Sequence, residues 1–205
     1  MTAPEVPPSA SDLPATWKFD FAIYHPPDLA AWRAWLTANH DTARGAWVAT
    51  WRKDRGHEPV PYPDLVVESI CFGWIDSTVN TFDDDRRLQL MTPRKARSPW
   101  TRLNRQRAAD MEDQGRMTDA GRRAVEVAKA NGWWSIYDPV EDRIEPPELA
   151  AALDANPAAR ANWDQMTPSA RKLLLWPVVS AAKPETKAKR IAKIVEDASG
   201  GSARG

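Results

Sequence analysis

The spacing of apolar residues changes several times along the chain, and each change marks an element. Over residues 17–25 (WKFDFAIYH), Phe19, Phe21 and Ile23 alternate with other residues, which predicts a strand. Pro26 and Pro27 stop it. Asp28 is then placed to cap a helix over 28–39, where Leu29, Trp32, Trp35 and Leu36 recur on one face. Beyond a turn at Arg44 and Gly45, Trp47, Ala49 and Trp51 point the same way from a strand over 46–52. Gly and Pro make 54–63 a loop, and Tyr62 or Asp64 opens a helix to about residue 72 that Gly73 terminates. Strands over 74–81 and 86–92 flank Asp83, Asp84 and Asp85, a hairpin closed by an acidic turn.

In the second half the period is helical. Ser98 as N-cap and Pro99 at the first helical position predict a helix to about Gln114, ended by Gly115. Thr118 caps another, with Ala120, Ala124, Val127 and Ala128 inward, that ends near Asn131 and Gly132. Shorter helices follow at about 147–154, 157–165, 168–181 and 184–197. The expected class is α+β: a small antiparallel sheet of about four strands covered by helices, then a C-terminal helical module. The expected division is a flexible leader over 1–16, an α+β domain over 17–137, an exposed linker over 138–147, the module over 148–198 and a disordered tail over 199–205.

Composition narrows the function classes. With 28 Lys and Arg against 28 Asp and Glu the formal net charge is zero, so the whole-molecule field selects no polyanion. Nucleic acid is therefore an unlikely partner, to be argued only from local charge. One cysteine, Cys71, allows neither an internal disulfide nor a Cys-rich zinc site, and its apolar neighbours give it a core position. The first 16 residues hold no Lys, no Arg and no long apolar run, unlike a secretory signal, and no segment is apolar enough to span a bilayer. The expected location is the cytoplasm, without membrane insertion; the oligomeric state is left open. Eleven tryptophans are many for 205 residues and are expected mostly in the core, with two or three free to line an aromatic pocket.

Candidate chemistry concentrates between Cys71 and Trp100. The three histidines (25, 40 and 57) lack metal-ligand spacing, and no nucleophile elbow, P-loop or dinucleotide fingerprint is present, so neither metal nor cofactor is expected. From Arg86 to Arg107 there are eight Lys and Arg and no Asp or Glu. Arg94 and Arg97 precede the helix expected at Ser98, whose N-terminal N–H groups would help them hold a carboxylate or phosphate. Asp76 lies on the apolar strand GWIDSTV and needs a partner, for which Arg94 or Arg97 is at hand. A ligand pocket here would be lined by Trp74, Asp76, Thr92, Arg94, Arg97 and Trp100.

The motifs also carry a family likeness. CFGWID (71–76), the acidic turn before Arg86 and Arg87, MTPRKARSPW (91–100), GRMTDAG (115–121) and SAAKPETKAKRI (180–191) together resemble the YdeI/OmpD-associated (bacteriocin-protection, OmdA-type) family. AAWRAWL (30–36) with GAWVATWRK (45–53) fits as well, so the likeness runs over roughly residues 20–197. It implies an association with tolerance of bacteriocins or cationic antimicrobial peptides. The reading that follows is a small-molecule- or anion-binding protein linked to stress or antimicrobial tolerance. An enzyme using Asp76 with Arg94 or Arg97 on an anionic or aromatic substrate, and nucleic-acid binding through 86–107, are the alternatives.

Overall fold

The computed structural model describes residues 21–53 and 56–200. The expected leader, the first part of the strand over 17–25 and the end of the tail lie outside them. The described residues form two compact units, one holding the chain to Ser98 with Leu103–Asn131, the other Pro99–Arg102 with the chain from Gly132 onward.

In the first unit a four-stranded sheet is built from β1 (Ile23–Tyr24), β2 (Ala46–Trp51), β3 (Trp74–Thr81) and β4 (Arg86–Pro93), in the order β1-β2-β4-β3. Two of its ladders are antiparallel, as expected, but β1 runs parallel to β2, so the sheet is mixed. The cause is the connection: α1 (Leu29–Asn39) returns the chain to the end from which it started, and β2 must then run alongside β1 in the same sense. Asp28 caps α1 by accepting a hydrogen bond from the Ala31 amide at 2.7 Å.

Alternation along the strands gives the sheet two faces. Ile23, Trp47, Ala49, Leu88 and Leu90 form a buried cluster on one of them, with Phe21 and Phe82 against it. On the other face Met91 meets α2 (Tyr62–Cys71), where Ser69 Oγ lies 3.7 Å from the Met91 sulfur. Trp32 of α1 joins this layer, its indole N–H reaching Leu65 O and Ser69 Oγ, both at 3.3 Å. Of the ten described tryptophans, Trp32, Trp47, Trp74, Trp100 and Trp163 are buried and the other five half-buried, which makes them packing residues first.

Two helices complete this unit: α3 (Arg102–Asp113) and α4 (Asp119–Ala130). The start of α3 departs from the expected Ser98. Ser98 Oγ instead accepts from the Lys95 amide at 3.0 Å while its own amide donates to Lys95 O at 2.9 Å, closing a turn over 95–98. Ser98 thus closes a turn, and the helix begins four residues further on, at Arg102. The α4 start is as expected, with Thr118 Oγ1 accepting from the Gly121 amide.

The second unit is helical: α5 (Asp138–Glu141), α6 (Pro147–Asp154), α7 (Pro157–Gln165), α8 (Pro168–Val179) and α9 (Pro184–Ser199). Proline opens each of α6 to α9, where its fixed φ suits the first turn and its missing N–H costs no bond. Val140, Leu149, Leu153, Trp163, Leu175, Val178, Ile191 and Ile194 make its core. Within 138–147, expected as an exposed linker, Asp138–Glu141 is helical and Val140 is fully buried in that core. The three prolines and the acids there misled because Val140 is the one apolar side chain turned inward. Glu145 is also engaged: Arg160 holds it through two bonds of 3.0 and 2.9 Å, Trp163 adds one of 2.7 Å, and Arg160 keeps its carboxyl below the ordinary range.

Candidate functional site

The conspicuous block over 71–100 divides into a part that locks the fold and a part that gathers ionisable groups. The lock joins CFG to MTDAG. The Cys71 carbonyl accepts from the Thr118 amide at 3.0 Å and from Thr118 Oγ1 at 2.7 Å. A Cβ on Gly121 would stand 2.3 Å from that same carbonyl oxygen, and one on Gly73, where φ is +73°, would stand 2.9 Å from Ala120 O. Both glycines are thus required by close backbone approach, and Gly73 also by its left-handed conformation. Cys71 is fully buried here, and burial pushes its thiol pKa up against the opposing influence of Arg33. It is a core residue and no nucleophile.

Glu68, one turn earlier on α2, is 1% exposed and lies between two guanidinium groups. Arg33 of α1 donates to it at 2.6 Å, and Arg116 pairs with its other oxygen. Arg33 also donates to Arg116 O at 2.9 Å and sits 5.3 Å from the Phe72 ring. A buried carboxylate with both oxygens taken is a closed arrangement.

The second gathering is more open. Register sets Asp76 opposite Met91, on the face that α2 covers, and Tyr62 at the start of α2 donates its phenolic hydrogen to Asp76 Oδ2 in a short bond. Burial and the Asp76 carboxylate raise the Tyr62 pKa far above its ordinary value, while Arg107 and Arg87 act against that rise. Arg94 follows β4 and donates through Nε to Trp74 O at 3.2 Å. Removal from water lowers its pKa to about 10, with the Asp76 charge opposing. Tyr62 and Asp76 therefore share a patch with positive charge from three arginines.

Of the six residues expected to line a pocket, the sheet brings Asp76 and Arg94 within electrostatic reach of each other. Trp74 is buried, its indole N–H on His40 O at 3.2 Å and its ring edge-on to Trp35, so it is a packing residue. Thr92 is opposite Ile75 and so belongs to the other face of the sheet. Arg97 is exposed in the turn over 95–98. Trp100 falls in the second unit, where its ring tilts against Trp134 at 5.0 Å. The helix dipole expected to assist Arg94 and Arg97 is not at Ser98, and the first amide of α3, that of Arg102, already faces the Glu141 carboxylate at 3.2 and 3.3 Å.

Sequence reasoning missed Tyr62 as a site residue. Tyr62 and Asp76 stand on different elements that no single period connects, so only the packing of α2 on β3 reveals the pair. The basic stretch is also less free than it reads. Arg86 is tied to Asp83 at 2.6 Å, and Arg102 to Asp142 through two bonds of 2.6 Å. Among the described residues no three His, Cys, Asp or Glu side chains are placed to share a metal ion, and no helix is long and apolar enough to cross a membrane.

Fold and site together define an α+β protein with a polar, arginine-rich patch beside the outer strand of its sheet and an appended helical unit. Residues 142–201 match the family described as Bacteriocin-protection, YdeI or OmpD-Associated, which places the likeness read from the motifs on the helical unit. Residues 24–124, which carry the remaining motifs, match a separate domain of unknown function, DUF8412. No significant match was found among curated proteins or among solved structures.

Proposed function

We propose that this is a cytoplasmic protein that binds a small anionic molecule at the patch around Tyr62, Asp76 and Arg94, in the service of stress or antimicrobial tolerance. The observation that carries the binding role is the charge balance of the patch. One carboxylate, already engaged by a tyrosine, faces the positive charge of Arg94, with Arg87 and Arg107 acting on the same tyrosine. Guanidinium groups suit a carboxylate, sulfate or phosphate, which planar donors bind in pairs. The tolerance role rests on the name of the family that residues 142–201 match.

The enzyme alternative gains less support. It needs Asp76 as acid or base, and that carboxylate already accepts a short bond from Tyr62, which occupies one of its oxygens. Binding is tested by a thermal-shift screen of anionic metabolites and antibiotics. A true ligand at a hundredfold excess over its Kd adds about 2.7 kcal/mol of stability by mass action. The shift should disappear in Arg94→Met and persist in Arg97→Ala. A screen in which no anion moves the midpoint of the wild type refutes the reading.

A further inference from the structure

We propose that the outer edge of β3 is a self-association surface, on which a second copy of this chain pairs antiparallel about a two-fold axis near Val79. In the order β1-β2-β4-β3, strand β3 is the last, with β4 on one side only. Its residues 77–79 and 81 are exposed and Asn80 half-buried, so both faces of the strand are open beyond Asp76. Val79 is 59% exposed, a β-branched apolar residue at the middle of this stretch. None of residues 77–81 is charged or proline. Backbone groups there form no hydrogen bond outside the β3–β4 hairpin among the described residues. Natural sheets usually protect such an edge with Lys, Pro or a covering segment. Among the described residues the edge is modified by the bulge between Asp76 and Val79, where β3 carries an extra residue, and by Arg52, which donates to Thr81 Oγ1 at 3.1 Å; residues 79–81 beyond the bulge are back in regular register with β4.

Charge identifies the occupant. A two-fold interface must be complementary to itself, so each end of the edge must suit the other end. The turn end of β3 carries Asp84, exposed, and the opposite end of the hairpin carries Lys95 and Arg97, exposed, none of them in an ion pair among the described residues. Antiparallel pairing about Val79 sets Val79 against its own copy and Thr81 against Ser77 of the second copy. It also brings the Asp84 turn of each copy to the end where the other presents Lys95 and Arg97. The two lie about two strand spacings apart, roughly 10 Å, within the reach of a long basic side chain and about one screening length. A parallel partner, or an unrelated strand, would not use both ends in this way. The result is one continuous sheet of twice as many strands, held by main-chain bonds, the central Val79 pair and two symmetric charge contacts.

Sedimentation velocity on the full chain over a range of concentrations tests this. The wild type should show a concentration-dependent dimer that weakens with added salt. Val79→Lys places like charges across the axis and should raise the dimer Kd by at least about tenfold. Asp84→Lys alone, and Lys95→Glu with Arg97→Glu alone, should each weaken it, and combining the three should restore it. These side chains are exposed, so circular dichroism should match the wild type, as should melting at concentrations where the wild type is monomeric. A wild type that is monomeric at every concentration overturns the proposal. So does a dimer indifferent to Val79→Lys, or one that the combined charge exchange fails to restore.

Discussion

Glu68 and Asp76 stand on elements that pack against each other, eight residues apart in sequence, and they show opposite ways of placing a carboxylate. Glu68 is 1% exposed and held by Arg33 and Arg116, which tie α1 and the segment before α4 to α2. Asp76 is half-buried, bonded by a neutral phenol, and reached by Arg94 only through space. The first has its charge neutralised by partners that belong to the fold. The second has one oxygen bonded by a phenol, while Arg94 acts on it through charge alone. That contrast separates an architectural cluster from a candidate binding one better than burial or residue type does alone.

The largest expected effect comes from breaking the closed cluster. Glu68→Ala leaves two arginines facing a low-dielectric space without their anion, which costs about 3 kcal/mol, the lower end for a buried pair because both arginines reach solvent. Chemical denaturation should show it as a lower midpoint. Asp76→Asn keeps the shape, and the amide oxygen can still accept from Tyr62, so the stability loss should stay below about 1 kcal/mol. A loss as large as that of Glu68→Ala would place Asp76 with the architecture and erase the distinction.

Next in size is the lock. Gly121→Ala drives a methyl to 2.3 Å from the Cys71 carbonyl, a backbone atom that cannot step aside, and should cost about 2–3 kcal/mol. Thr118→Val removes both the α4 cap and the hydroxyl bond to Cys71 O, for about 1–2 kcal/mol. Neither substitution touches the Asp76 patch. Any anion affinity measured for the wild type should therefore survive in the folded fraction of both variants.

These positions also show what the sequence reveals and what it hides. Periodicity and punctuation located the helices α6 and α7 and the strand β3 because Pro, Gly and Asn act locally, on the residue's own φ or on an adjacent amide. Asp83 shows the same legibility: it accepts from the Asp85 and Arg86 amides, and these bonds with those of Arg86 outweigh burial and hold its carboxyl below the ordinary range. Ser98 was misread because a local signal had two outlets, forward capping or a backward turn, and only the surrounding chain selects between them. Parallel pairing of β1, the lock between Cys71 and Thr118 and the bond between Tyr62 and Asp76 are all long-range. Motif spacing marked the first lock residues as unusual, yet unusual residues met a backbone and not a ligand.

The smallest effect in stability is the most specific to the open cluster. The Tyr62 pKa is raised in the folded protein, chiefly by burial and then by Asp76. Below about pH 10 the phenol is protonated in folded and unfolded chains alike, so it adds no pH dependence there. Above that the unfolded chain releases its proton first, the folded state binds more protons, and the contribution of Tyr62 to stability falls as pH rises. Arg94 acts in the opposite sense: its folded pKa of about 10 lies below the usual guanidinium value, so the unfolded chain binds more protons above that pH. Absorbance at 295 nm resolves the two, because only phenolate contributes. The difference between wild type and Tyr62→Phe should stay near zero through pH 11, roughly a unit past ordinary tyrosine ionisation. In Asp76→Asn the same difference should develop at lower pH, since the carboxylate that disfavours phenolate has lost its charge. A phenol that titrates near its ordinary value in the wild type would mean that Tyr62 and Asp76 are not held together in solution, and the open cluster would lose its centre.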